Sequence, residues 1–231
     1  MTLNKCFTDI FSPTMKQAGF TKSGLLYYRM HGNMLQGVFL KTCNPFQICF
    51  ASIPYWMYNT MAYPDIKKGW WTQEGGFMMG FYYTPQAPEQ NQMQMQAVLD
   101  CFTHTILAHL DNMKTEQDYF FDSLKGVRNL SLDSGFPKFM LIISASPKPE
   151  ILLHQKYLGE LSLPVENYLD KYFDELLSRQ ASNTAQAQKV KQTKDFLLSE
   201  INGTSKEQFL KQYADMCADM NTYMAEHLKC V

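Results

Sequence analysis

Three short apolar segments, Leu25 to Met30, Met34 to Lys41 and Phe46 to Ile53, follow one another with very little chain between them. His31-Gly32-Asn33 joins the first pair, a short loop able to supply the positive φ that tight turns require. Asn44-Pro45 marks the second junction, where proline has no N–H to give a sheet ladder. Connections this short predict an antiparallel meander. In the third segment Phe46, Ile48 and Phe50 alternate with Gln47, Cys49 and Ala51, which predicts one packed face and one less apolar face. A fourth strand is expected from Phe77 to Tyr83, after Gly75-Gly76.

On both sides of this block the apolar period is helical. Residues 3–18 place Leu3, Phe7, Ile10, Phe11 and Met15 on one face, and Gly19 supplies a left-handed cap. Pro85 to Gln96 reads as a link between sheet and helices. Beyond it Val98, Leu99, Phe102, Ile106, Leu110 and Met113 form an apolar stripe. Thr115-x-x-Asp118 resembles a capping box with the shorter acid. Phe136 to Ala145 fits a buried strand as well as a buried helix, and its neighbours, Pro147 to Leu161 and Pro164 to Leu177, favour helix. Pro164 sits where an N1 proline belongs. Residues 178–194 are polar throughout, either an exposed helical continuation or a linker. Thr204-Ser205-Lys206-Glu207 has capping-box spacing and opens a last helix striped by Phe209, Tyr213, Met216, Met220 and Met224.

The expected fold is therefore α+β: an N-terminal helix on an antiparallel meander sheet of about four strands, followed by an all-helical C-terminal half. Residues 1–84 would be helix plus sheet. Residues 85–231 would be a helical region packed on that sheet as one continuous unit.

Composition narrows the function classes. Charged residues are 19% and hydrophobic residues 45% of the 231, which is globular rather than disordered usage. The formal net charge is −1, and no Lys/Arg cluster is large enough to neutralise several phosphates. Nucleic acid is disfavoured as the main partner. No apolar run approaches the ~20 residues that span a bilayer, and the N-terminus lacks a signal peptide's apolar core. No membrane association is expected. The six cysteines are scattered without CxxC or framework spacing, which suits reduced thiols in a cytoplasmic protein.

No stretch spells out a reaction. Cys101 and His104 are close enough along a helix to share a metal, but His109 is rotated well off that face, so no metal site and no cofactor are expected. His227 reads as a packing residue on the last helix, His31 lies in a turn, and His154 has no obvious partner. There is no Gly-x-Ser-x-Gly elbow, and Gly75-Gly76-x-x-x-Gly80 lacks the ending of a phosphate loop. No catalytic residue is assigned, and whether the chain is an enzyme stays open.

The aromatic segment after the third strand is the candidate ligand or partner site. Tyr55, Trp56, Tyr58, Tyr63, Trp70 and Trp71 fall among prolines and glycines. Such rings combine contact area with a polar handle and are enriched at binding surfaces. The competing reading is that they cover the end of the sheet. Arg29, beside Tyr27 and Tyr28, could anchor a carboxylate or phosphate bidentately, or be an ordinary surface arginine at a strand end. The candidate site is thus Arg29, Tyr55, Trp56, Trp70 and Trp71.

The opening pattern also carries a resemblance. A helix, then Met15-Lys16-Gln17-Ala18-Gly19-Phe20-Thr21-Lys22-Ser23-Gly24, then Tyr27-Tyr28-Arg29 and hydrophobic strands, resembles the bacterial domain-of-unknown-function family numbered 4304 over about the first half of the chain. The Trp70-Trp71 pair corresponds to a tryptophan-bearing segment of that domain. The resemblance implies a fold and no known activity. The expected function is a non-enzymatic binding or protein-interaction module using the aromatic loop, its partner an unknown protein or small ligand. The alternative is an enzyme acting on a small molecule in a cleft between sheet and helices. A third possibility, an immunity-type protein that neutralises a toxin, would need a strongly complementary surface.

Overall fold

The computed structural model describes residues 2–41, 45–57, 79–120, 137, 139–140, 143, 147–180 and 183–227. They form two compact units. The first comprises Met1–Tyr119, Gly126–Asn129 and Asp219–Val231, the second Phe120–Lys125 and Leu130–Ala218.

The first unit opens with helix α1 (Leu3–Gln17), whose N-cap Thr2 accepts from the Lys5 N–H. Leu3, Cys6, Phe7, Phe11 and Met15 are its buried stripe. Gly19 ends it at φ 81°, with the Phe20 N–H reaching the Met15 carbonyl and the Gly19 N–H reaching that of Lys16. That pair of bonds is a Schellman cap and needs the left-handed backbone that glycine adopts freely. Five strands follow: β1 (Thr21–Ser23), β2 (Leu26–His31), β3 (Met34–Lys41), β4 (Phe46–Pro54) and β5 (Met79–Phe81). They lie in sequence order, every neighbour antiparallel. The expected meander is present, with β1 as an additional short edge strand.

Register puts Tyr27, Val38 and Phe50 in one row and Leu40 beside Ile48 in another. These side chains share a core with α1 and with helix α2 (Pro88–Cys101). The Tyr27 hydroxyl lies 2.8 Å from that of Ser12 on α1, a polar contact inside an apolar layer. Burial raises the Tyr27 pKa, against the lowering effect of hydrogen bonds with Ser12 and Thr8. Leu26, Tyr28, Leu35, Cys49, Ala51 and Ile53 point to the opposite face and are buried too. The expectation of one less apolar face is corrected: the alternation in β4 is between large and small side chains, and both kinds are inside.

Residues 85–96 are not a link. Helix begins at Pro88, in the first turn where its missing N–H costs nothing, and Met95, Val98 and Leu99 enter the core of the sheet. The first unit therefore extends past the expected boundary at 84–85. The helix runs on through a π-helical stretch (Phe102–Leu107) into α3 (Ala108–Asn112). Helix α4 (Glu116–Phe120) carries the expected capping box: the Thr115 hydroxyl accepts from the Asp118 N–H, and the Asp118 carboxylate accepts from the Thr115 N–H.

Among its described residues the second unit has helices joined by turns and no strand. Of the ambiguous stretch 136–145, Pro137, Phe139, Met140 and Ile143 are described; the last three are helical and buried. Helices α5 (Pro149–Tyr157), α6 (Val165–Arg179), α7 (Thr184–Gly203) and α8 (Lys206–His227) follow, and the residues of α8 from Asp219 onward belong to the first unit. Pro164 occupies the N-cap of α6, one residue before its expected place. The polar stretch 178–194 resolves into the end of α6 and the first half of α7. Asn183 caps α7 by accepting from the Gln186 N–H, and Lys194 bonds Asp170 and Asp174 on α6, each at 2.9 Å. Leu197 and Ile201 then bury the second half, so tertiary contact holds helical a segment whose own apolar signal is weak. The capping box of α8 is shifted by one: Ser205, not Thr204, accepts from the Gln208 N–H, and Gln208 returns the bond to the Ser205 N–H.

Candidate functional site

Arg29 stands in β2 opposite Gln36 of β3 and is only 8% exposed. Its Nε donates to Gln36 Oε1 at 2.8 Å, one guanidinium nitrogen to the Ala18 carbonyl and the other to Asp111 Oδ1, both at 2.5 Å. Its guanidinium carbon lies 4.4 Å from the centre of the Phe20 ring, a cation–π contact. Gln36, its cross-strand partner, donates to the carbonyls of Leu110 at 2.6 Å and Met113 at 3.0 Å. His31 Nε2 lies 3.0 Å from the Asp111 carbonyl, which only accepts, so that nitrogen carries the proton. Two side chains of adjacent strands thus satisfy carbonyls at the C-terminal ends of α1 and α3, where a helix lacks internal donors. The cation also sits favourably at the negative ends of both helix dipoles.

The sequence reading of Arg29 left open an anion anchor and a surface arginine. The structure gives it an internal role instead, because Ala18 and Asp111, distant in sequence, close over the guanidinium. Gln36 and Asp111 were missed altogether. The available signal was a charged residue flanked by Tyr27 and Tyr28 in an otherwise apolar strand, which forces a buried partner somewhere.

Tyr55 and Trp56 begin the aromatic segment where β4 ends. The Tyr55 N–H donates to the Asn33 carbonyl at 3.1 Å, and the Asn33 N–H donates to the Lys114 carbonyl at the same distance. The β2–β3 turn is thereby pinned between the end of β4 and the chain just after α3. Gly32 in this turn has φ 59°, and a Cβ on it would lie 2.2 Å from the Lys114 carbonyl oxygen. Tyr55 is half-buried and Trp56 fully buried. Tyr58, Tyr63, Trp70 and Trp71 lie outside the described residues. The chain re-enters the described structure at β5. Asn91 on α2 then secures the turn after that strand: its side chain accepts from the Thr84 N–H at 2.9 Å and donates to the Thr84 carbonyl at 2.6 Å.

The Cys101–His104 pair is divided by the π-helical stretch. Thr103, His104 and Thr105 each bond back to the carbonyl four residues earlier, those of Leu99, Asp100 and Cys101. Such back-bonding competes with the α-helical ladder and accompanies its widening here. Cys101 Sγ is paired with Thr105 Oγ1 at 3.7 Å, and His104 donates from Nδ1 to the Asp100 carbonyl at 2.7 Å. Among the described residues no group of three or more His, Cys, Asp or Glu side chains is arranged to hold a metal ion.

His154, read from sequence as lacking an obvious partner, is 5% exposed within the second unit. Its ring centre lies 5.4 Å from that of Tyr213, 5.9 Å from Phe120 and 6.4 Å from Phe209. Gln155 Nε2 lies 3.2 Å from its Nδ1. It is an aromatic packing residue with a polar neighbour on the same helix.

Compared with family models, with curated proteins and with solved structures, the chain matches none of them. No helix among the described residues is long and apolar enough to cross a membrane.

Proposed function

We propose that this protein is a non-enzymatic binding module whose aromatic segment between β4 and β5 takes a small ligand or a protein partner. The observation that carries this reading is topological. Strands β4 and β5 are antiparallel neighbours, which two to five residues suffice to join, yet 24 residues, 55 to 78, separate them. All three tryptophans of the chain, Trp56, Trp70 and Trp71, fall in that span. Segments that connect the strands of a rigid sheet are common places for binding residues. Both flanks here are tied down, by Tyr55 to the β2–β3 turn and by Asn91 to Thr84, so the frame that presents the segment is rigid. In this reading Trp70 and Trp71 make the contact, Tyr55 borders it and Trp56 roots the segment in the core. Arg29 supports the frame and does not touch the ligand.

The compartment we propose is the cytoplasm, in keeping with four free cysteines, Cys6, Cys49, Cys101 and Cys217, among the described residues. Kinship with the family numbered 4304 rests on the block from Met15 to Arg29 and belongs to the same proposal.

A Trp56→Phe variant leaves Trp70 and Trp71 as the only indoles. Their fluorescence should be quenched readily by acrylamide, and Trp70→Ala/Trp71→Ala should melt within about 2 °C of the parent, less than the shift of ~1 kcal/mol. Native mass spectrometry of the purified protein should show a retained ligand or partner that the double variant loses. Shielded indoles together with a melting point lowered by many degrees would make the segment a structural cover and end the binding reading.

A further inference from the structure

We draw no further inference here: the strongest candidate, the exposed stripe of uncharged side chains Met93, Ala97, Cys101, Thr105 and Ala108 along α2, the π-helical stretch and α3, carries nothing because nothing in the structure shows what covers it.

Discussion

In the first unit the C-terminal ends of α1 and α3 are held by side chains rising from the sheet, Arg29 and Gln36, both buried. In the second unit the end of α7 is held from a neighbouring helix. Lys156 donates to the Ile201 carbonyl at 2.9 Å and Tyr157 to that of Thr204 at 2.6 Å, while Lys156 also pairs with Glu166 at 2.8 Å. The Lys194 bridge to α6 reaches two carboxylates that are more than half exposed. The same need, satisfying orphan carbonyls and fixing a helix against its neighbour, is met in one unit by buried donors, Arg29 and Gln36, and in the other by donors closer to water. Buried hydrogen-bonded charges are expensive to break because the partner left behind cannot turn to solvent. Ion pairs near water are screened and contribute little. The first unit should therefore be sensitive to single substitutions in its polar row, and the second should tolerate loss of its bridges.

The largest effect is expected from Arg29→Met. It strands Gln36 Oε1 and the Ala18 carbonyl, at a cost of about 3 kcal/mol. Urea denaturation should show that loss unchanged between low and high salt. A loss below about 1 kcal/mol would remove the contrast between the units.

Next is Gly32→Ala, set against Gly24→Ala. Both glycines have positive φ, but only at Gly32 does a Cβ meet backbone, whereas nothing lies within 4 Å at Gly24. Gly24→Ala should cost about 1 kcal/mol, the strain of the left-handed conformation alone. Gly32→Ala should cost at least about twice that, because the turn must leave Lys114. Equal melting points would show that the contact between the turn and Lys114 is not rigid.

Ser205→Ala should cost about 1 kcal/mol as loss of an N-cap, while Thr204→Ala should change stability by a few tenths. The reverse order, read by thermal melts, would move the cap of α8 back to the position expected from its spacing.

The smallest effect belongs to Lys194→Met, below about 1 kcal/mol and fading as salt rises. Burial works against the charge on Lys194, but the bonds to Asp174 and Asp170 prevail and its pKa is raised. A raised folded-state pKa means that the bridge contributes fully below the ordinary lysine range and is lost as pH rises through the folded value. The wild-type advantage over the variant should accordingly persist at pH 7 and vanish at strongly alkaline pH. An advantage that survives there, or in molar salt, would place the bridge in the same class as the Arg29 row.

What sequence alone determined was local. The strand segments of the meander, the Gly19 cap, the Thr115–Asp118 box and the stripe of α1 each follow from patterns spanning a few residues, where steric preference and periodicity act directly. Tertiary structure decided the rest. Arg29 became a buried clamp because Asp111, 82 positions away, closes on it. The second face of the sheet is inside although Cys49 and Ala51 carry little apolar area. The polar first half of α7 is helical through Lys194 and the buried Leu197 and Ile201. In each case the deciding partner is distant in the chain, and burial depends on what packs against a residue rather than on the residue's own propensity.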